Sequence, residues 1–116
     1  MKQLLLTLVI LISSPAFAGE TQQLLQLLDY VGVDYAEAIE DGKVVNAGEY
    51  KEMIEFSGAI NTAMAALPWD EAKAALKQEA AALKVAIETK RPPADIAAMS
   101  GAMRSRIMNR YQVVAV

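Results

Sequence analysis

Apolar residues recur at three- and four-residue spacing along most of the chain, which is the period of an amphipathic α-helix. In residues 21–32 this apolar face carries Leu24, Leu28 and Val31. Gly32 weakens a helix by up to ~1 kcal/mol relative to alanine, yet the same spacing continues beyond it. Two interpretations stay open: one helix that runs through to Glu40, or a kink at Gly32 after which a second helix begins with Asp34 as its cap. The pattern favours the kink.

A turn and a capped helix follow. Asp41-Gly42 is expected to end the first helical region, because glycine suits the left-handed position after a helix C-terminus. Asn46 then has the position of a helix N-cap, and Glu49 stands three residues on, where its side chain reaches back to the Asn46 amide in a capping box. The second helix is predicted over residues 47–67.

Prolines mark the remaining boundaries, because proline is tolerated at a helix start and not within one. Pro68 is expected to begin a third helix, whose apolar stripe consists of Trp69, Ala72, Leu76, Ala80, Leu83 and Ile87. Pro92-Pro93 forces a turn, and a fourth helix is predicted from about Pro93 to Tyr111. Four amphipathic helices joined by short loops predict an all-α fold, an up-and-down four-helix bundle.

The N-terminus has the three parts of a cleavable signal peptide. Met1-Lys2 is basic, Leu4 to Ile12 is apolar, and small residues flank Phe17 in the stretch that ends at Ala18. The apolar run is much shorter than the ~20 residues that span a bilayer. We therefore expect a signal peptide over residues 1–18 and export to the periplasm; an uncleaved membrane anchor is the alternative.

The mature part is expected to be one periplasmic helical domain, residues 19–116. It closes on the apolar run Val113 to Val116 with no polar stop. The domain is therefore expected either to stand alone or to be the N-terminal part of a longer protein.

Composition narrows the function by exclusion. The chain contains no cysteine and no histidine, which removes disulfides, the commonest general base and the commonest transition-metal ligand. Its formal net charge of −3 disfavours nucleic acid, which requires a basic surface, and is compatible with cations. No nucleophile–base or acid–base pair stands in a recognisable arrangement, so we expect no enzyme.

One stretch of the chain carries a family resemblance. Residues 27–56 read L-L-D-Y-V-G-V-D-Y-x-x-A-I-x-D-G-K-V-V-N-x-x-E-Y-x-E-M-x-E-F, and this run resembles the periplasmic N-terminal region of bacterial Ftr-type high-affinity iron permeases. Residues 104–116 are similar to the stretch that leads out of that region, while residues 58–91 are generic alanine-rich helix. In that family a signal peptide precedes a helical extracytoplasmic segment, and the membrane permease follows, in some members after a cytochrome c domain.

The resemblance implies iron uptake as the biological context. The R-E-x-x-E type motif of the family's membrane helices and the C-x-x-C-H haem site are both absent, so the chain is not the permease itself and no haem is expected. The resemblance implies an accessory domain that binds or presents iron, as Fe2+ or Fe3+, or docks a partner. That partner would be the permease membrane domain or a periplasmic iron-uptake protein, and membrane contact would come only through it or through a missing C-terminal part.

Carboxylates on both sides of the predicted turn form a candidate cation site: Asp34, Glu37, Asp41, Glu49, Glu52 and Glu55. Iron and other hard cations accept oxygen ligands. Glu49 and Glu52 are three residues apart on one helix, and Asp34 or Glu37 would face them if the first two helices are antiparallel neighbours. The plainer interpretation is a capping residue, Glu49, beside a solvated helix face.

Three tyrosines near the same turn, Tyr30, Tyr35 and Tyr50, need hydrogen-bond partners wherever their hydroxyls are buried. We expect Asp29, Asp34 or Asn46 to supply them, in an interhelical network that fixes the turn. A phenolate ligand to iron is the alternative interpretation.

Two further functions stay open. The methionines after the signal region are expected mainly in the core, with a Cu(I)-binding thioether buffer as the alternative: Met53, Met64, Met99, Met103 and Met108. The other alternative is a metal-free interaction module that binds a partner helix or self-associates through its alanine-rich third helix.

Overall fold

The structure, a computed structural model, describes the backbone of residues 13–111 and the side chains of residues 19–111. Residues 1–12, which hold most of the predicted signal peptide, and the apolar run Val113 to Val116 lie outside the described residues. The described chain forms four helices, α1 (Ser13–Ala38), α2 (Ala47–Ala66), α3 (Lys73–Glu88) and α4 (Pro93–Tyr111). A two-stranded ribbon, β1 (Ile39–Glu40) and β2 (Lys43–Val44), joins α1 to α2.

The helices form the predicted up-and-down bundle. Each helix packs against the next one in the chain, and α4 returns to pack against α1. The predicted stripes supply the core, whose largest fully buried side chains include Leu24, Leu28, Tyr35, Met53, Ile60, Met64, Leu76, Leu83, Ile87, Ile96 and Met103. Each such aliphatic side chain contributes about 1.5–3 kcal/mol relative to an exposed one. The core therefore holds the fold together without disulfides.

α1 is one continuous helix through Gly32, so the expected kink is wrong. A Cβ added at Gly32 would come to 3.4 Å from the Cβ of Ser100 in α4. Gly32 is therefore a point of close helix approach, and Asp34 lies inside the helix instead of capping a new one. The helix ends at Ala38, two residues before Glu40, the end expected for a single continuous helix.

The Asp41-Gly42 turn reverses the chain between α1 and α2. Both residues have positive φ, 53° for Asp41 and 74° for Gly42, so the predicted left-handed glycine is confirmed. Two-residue hairpin turns favour such backbone angles, and Asp-Gly tolerates them. Ile39 pairs with Val44 and Glu40 pairs with Lys43 in the ribbon. The sequence predicts an extended connection over Lys43-Val44-Val45 but not its pairing with the residues after α1. The ribbon brings the end of α1 beside the start of α2.

The connection from α2 to α3 departs from the expectation. Pro68 begins a turn, and α3 begins only at Lys73. Asp70 Oδ2 accepts the backbone N–H of Ala72 at 2.8 Å, which satisfies one backbone donor before the helix starts. Because the turn takes up the intervening residues, Trp69 does not lie on the buried stripe, and its side chain is 80% exposed.

Candidate functional site

The end of the bundle that carries the ribbon also carries the candidate carboxylates. The last two turns of α1 supply Asp34 and Glu37, and the first two turns of α2 supply Glu49 and Glu52. The pKa of Glu49 is raised, first by partial burial of its carboxylate and then by the negative charges of Glu52, Glu37 and Asp34. The structure thus brings together four of the six carboxylates chosen from the sequence, which we call the acidic patch: Asp34, Glu37, Glu49 and Glu52. Asp41 lies in the turn of the ribbon, and Glu55 lines a groove on α1 and α2 instead.

The four carboxylates of the acidic patch have no cationic partner. Within residues 19–111, none of them forms an ion pair, and the same is true of Glu20, Glu40, Asp41 and Glu55. Six acidic residues do pair with arginine or lysine, and they are Asp29, Asp70, Glu71, Glu79, Glu88 and Asp95. Negative charge is therefore left uncompensated at the ribbon end of the bundle.

Asn46 and Glu49 form only half of the predicted capping box. Asn46 Oδ1 accepts the backbone N–H of Glu49 at 3.0 Å, which confirms Asn46 as the N-cap of α2. Glu49 Oε1 is enclosed but has no hydrogen-bond partner, so the expected return bond to the Asn46 amide is not made. One carboxylate oxygen of Glu49 is therefore enclosed without a hydrogen-bond partner.

The acidic patch is an electrostatic surface and not a preformed cage. In the part of the chain whose side chains are described, no three acidic residues are arranged to hold a metal ion between them. Asp34 and Glu49 are half-buried, whereas Glu37 and Glu52 are exposed and can change rotamer. An ion attracted to this patch would gather its ligands by side-chain movement.

Two tyrosines connect the patch end to α3 through backbone carbonyls. The Tyr35 hydroxyl donates to the carbonyl of Arg91 at 2.7 Å, and the Tyr50 hydroxyl donates to the carbonyl of Ile87 at 2.9 Å. The expectation that Asp29, Asp34 or Asn46 accepts these bonds is wrong, because the hydroxyl of Tyr50 points to the last turn of α3 and that of Tyr35 to the loop after it.

The environment of Tyr35 disfavours phenolate. Burial, followed by the proximity of Tyr50, raises the pKa of Tyr35 to about 12. Tyr30 takes no part in the hydrogen bonds to α3: it is 48% exposed, and its ring centroid lies 5.9 Å from that of Phe56. A cation lies near this group, because Lys90 Nζ is 5.4 Å from the centroid of the Tyr50 ring.

The methionines contribute mainly to the core. Met53, Met64 and Met103 are completely buried, whereas Met99 and Met108 are half-buried and pack against the core from its edge. Met108 Sδ accepts from Arg104 Nη1 at 3.3 Å. Burial of three of the five thioethers supports the packing interpretation.

Sequence reasoning missed two polar features that fix the helices. Asn61 of α2 donates to the backbone carbonyls of Ser57 and Ala80, both at 2.9 Å, and so links α2 to α3. Arg110 of α4 pairs with Asp70 in the turn before α3, at 2.9 Å between Nε and Oδ2. Asn61 carried a usable signal, since it is an amide on the apolar side of a helix, whereas the partner of Arg110 required the fold.

An open apolar groove of about 650 Å³ runs along the outside of α1 and α2, away from the acidic patch. Its apolar lining comes from Leu24, Leu27, Phe56, Ala59, Ala63, Ala66 and Leu67. Among residues 13–111, no helix is both long enough and apolar enough to cross a membrane.

Comparison with known families gives one match. A family model described as an iron permease-associated 4-helix bundle domain matches residues 13–112. Comparisons with curated proteins and with solved structures gave no match. The matched range takes in all four helices and the acidic patch.

Proposed function

Since the chain belongs to the family of iron permease-associated 4-helix bundle domains, we propose that it is a periplasmic accessory domain of iron uptake whose acidic patch collects iron ions as cargo. The permease would be its partner and the acceptor of the ion. The family description names a helical bundle associated with a permease and no enzymatic reaction.

The observation that carries the proposal is the unpaired acidic patch. Four carboxylates from α1 and α2 are close enough for three of them to raise the pKa of the fourth, and none has a cationic partner among the described residues. Mutual repulsion of like charges is relieved when a cation binds between them. Carboxylate oxygens are ligands that iron and other hard cations accept.

An open patch suits transfer of an ion. A transport accessory must release what it binds, and ligands that assemble by rotamer change hold an ion less tightly than a rigid cage does. Exposed Glu37 and Glu52 provide such mobile ligands, while half-buried Glu49 provides a fixed one. We therefore expect saturable but weak binding.

Anaerobic calorimetric titration with Fe(II) tests the proposal, with Mg(II), Mn(II) and Zn(II) for comparison. The double variant Glu49→Gln, Glu52→Gln should weaken Fe(II) binding by about tenfold or more, because it removes two of the four charges that attract the ion. The matched control is Glu20→Gln, Glu71→Gln, which removes the same charge from residues outside the acidic patch and should leave affinity unchanged. Equal binding by the parent and the patch variant would refute the site.

Iron affinity should also depend on pH in a specific direction. A proton on Glu49 competes with the ion, and the raised pKa of Glu49 keeps that proton bound at higher pH than on an ordinary glutamate, whose pKa is about 4.3. Binding should therefore weaken on acidification while ordinary glutamates are still charged. In Glu37→Gln, one cause of the raised pKa is removed, and the loss should shift to lower pH. If the pH dependence of iron binding is the same in Glu37→Gln as in the parent, Glu37 is not part of the site.

A second candidate, the metal-free interaction module, has one observation in its favour. A groove of about 580 Å³ lies between α3 and α4, lined in part by Ala82, Val85, Ala98 and Met99. Val85 is 57% exposed, and the two charged residues that line the groove, Arg91 and Asp95, pair with each other. Self-association there would make molecular mass depend on concentration in light scattering, and Val85→Lys would abolish that dependence.

A further inference from the structure

Trp69 is a large apolar side chain presented to solvent at the end of the bundle opposite the acidic patch. It lies between Pro68 and Asp70 in the turn from α2 to α3 and is 80% exposed. The other end of the bundle holds the ribbon and the acidic patch, because α2 runs from Asn46 there to Leu67 here. At this exposure the indole contributes little to the core, and most of its apolar ring is accessible to a contact outside the bundle.

The turn that carries Trp69 is held in place by side chains from α3 and α4. The Tyr111 hydroxyl donates to the carbonyl of Pro68 at 3.0 Å, and Arg110 pairs with Asp70. Lys73 Nζ donates to the carbonyl of Leu67 at 2.6 Å. Trp69 is therefore displayed by a braced turn, since both of its neighbours are tied to α4.

The apolar run that follows α4 connects to the bundle at this same end. α4 ends at Tyr111 beside Pro68, and the sequence continues after Gln112 with Val113 to Val116. Residues near the start of the predicted mature domain also lie here, because Thr21 and Leu67 line the same groove. Trp69 thus lies where the apolar sequence after α4 leaves the bundle.

We propose that this end of the bundle rests on the surface of a lipid bilayer, with the Trp69 indole in the interfacial layer. Tryptophan favours that layer because its ring is apolar while its N–H needs a polar partner. The charges around Trp69 balance, since Asp70 and Glu71 both lie within ion-pair distance of Arg110 and Lys73 adds a second positive charge. The unpaired acidic patch would be repelled by anionic lipids and so turns away from the membrane. The placement of Trp69 carries this inference whether or not the patch binds iron.

A single tryptophan binds a bilayer weakly, so this contact orients a protein that is already at the membrane. The expected role is to fix which end of the bundle faces the lipid. The acidic patch then faces the aqueous phase, at the far end of the helices.

Trp69 is the only tryptophan in the chain, which makes a local measurement direct. The full chain is mixed with phosphatidylethanolamine–phosphatidylglycerol vesicles that contain lipids spin-labelled near the headgroup, and tryptophan emission is recorded. The readout must be local to the indole, because residues 4–12 are apolar enough to attach the chain to lipid by themselves. We expect a blue shift of the emission, quenching by the labelled lipid, and protection from aqueous iodide.

The matched control moves the probe to the opposite end. In Trp69→Phe, Val45→Trp the single indole occupies a position that is 55% exposed beside the ribbon. Its emission should remain unquenched by the labelled lipid and accessible to iodide. Circular dichroism of both proteins verifies that the fold is retained.

Three results would overturn the proposal. Quenching of the indole at position 45 as strongly as at position 69 would show contact without orientation. Bound chains whose Trp69 stays accessible to iodide would show that this end faces water. Shielding of Trp69 that requires an added permease protein, and that occurs without lipid quenching, would assign the tryptophan to a protein partner.

Discussion

At the scale of single residues, Tyr35 is the most constrained side chain at the ribbon end. It is completely buried, and its hydroxyl donates to the carbonyl of Arg91 in the loop between α3 and α4, 56 residues further along the chain. Burial opposes the charged form of the phenol, which is the main reason why the pKa of Tyr35 is raised to about 12. Tyr35 therefore holds α1 to the loop between α3 and α4 as a neutral hydrogen-bond donor.

Replacing Tyr35 with phenylalanine should destabilise the bundle by about 1–3 kcal/mol, because the Arg91 carbonyl loses its donor while the ring remains. Urea unfolding followed by circular dichroism measures the loss. Tyr30→Phe, at a half-exposed hydroxyl, is the control and should change stability very little. Equal losses of stability in the two variants would show that the buried hydrogen bond of Tyr35 contributes no more to stability than the hydroxyl of Tyr30 does.

Alkaline titration gives an independent check of the same residue. The folded pKa of Tyr35 lies above its value of about 10 in an unfolded chain, so the native state holds this proton more tightly. Its stabilising effect is complete below pH 10 and is lost as pH rises from about 10 towards 12. Tyrosinate absorbance should show a last ionising group that is missing in Tyr35→Phe.

At the scale of elements, helix periodicity and proline boundaries were enough to predict α2, α4 and the antiparallel order of the bundle. They failed at Gly32 because the reason for that glycine is Ser100, which is far away in sequence. They failed at Trp69 because a four-residue turn after Pro68 shifts the start of α3.

The candidate site likewise combines features that the sequence could predict with features that it could not. The carboxylates of α1 and α2 were predictable because a tight turn makes the two helices neighbours. The acceptors of Tyr35 and Tyr50 were not, because every residue has a backbone carbonyl and only the packing of α3 selects Arg91 and Ile87.

The glycines of the helices differ in what an added methyl group would meet, which gives a graded prediction. A Cβ at Gly58 or Gly101 has no neighbour within 4 Å, so each change to alanine should stabilise the bundle by about 0.5–1 kcal/mol. At Gly32 the new Cβ lies 3.4 Å from Ser100, and the gain should be smaller or reversed. Thermal unfolding of the three variants gives the ranking, and a Gly32→Ala protein as stable as Gly101→Ala would contradict the close approach of α1 and α4.

At the scale of the whole molecule, charge is arranged unevenly along the bundle. The acidic patch is unpaired at the ribbon end, whereas Asp70 at the Trp69 end is paired with Arg110. The Ala72 backbone N–H and then Arg110 lower the pKa of Asp70. Acidification should consequently relieve charge repulsion at the ribbon end, where the pKa of Glu49 is raised. At the Trp69 end it should remove a stabilising interaction, since the pKa of Asp70 is lowered.

Asp70 therefore gives a testable acid dependence. Its stabilising effect is present above the unfolded aspartate pKa of about 3.9 and is lost as pH falls through its lower folded pKa. Asp70→Asn should be less stable than the parent at neutral pH, and the two should converge on acidification. Urea unfolding at a series of pH values measures this, with Glu55→Gln as the control for an exposed carboxylate that forms no ion pair among the described residues. Parallel curves for Asp70→Asn and the parent would contradict the role of the pair.

The packing contact between α1 and α4 has a consequence for folding kinetics, because it joins the first helix of the bundle to the last. α1 with α2, and α2 with α3, meet through short connections, whereas the meeting of Gly32 with Ser100 closes a loop that contains most of the domain. Closing a longer loop costs more chain entropy, so the contact between α1 and α4 should be the last to form during folding. If the chain leaves an export channel N-terminus first, the side of α1 that packs against α4 would stay exposed until α4 has emerged.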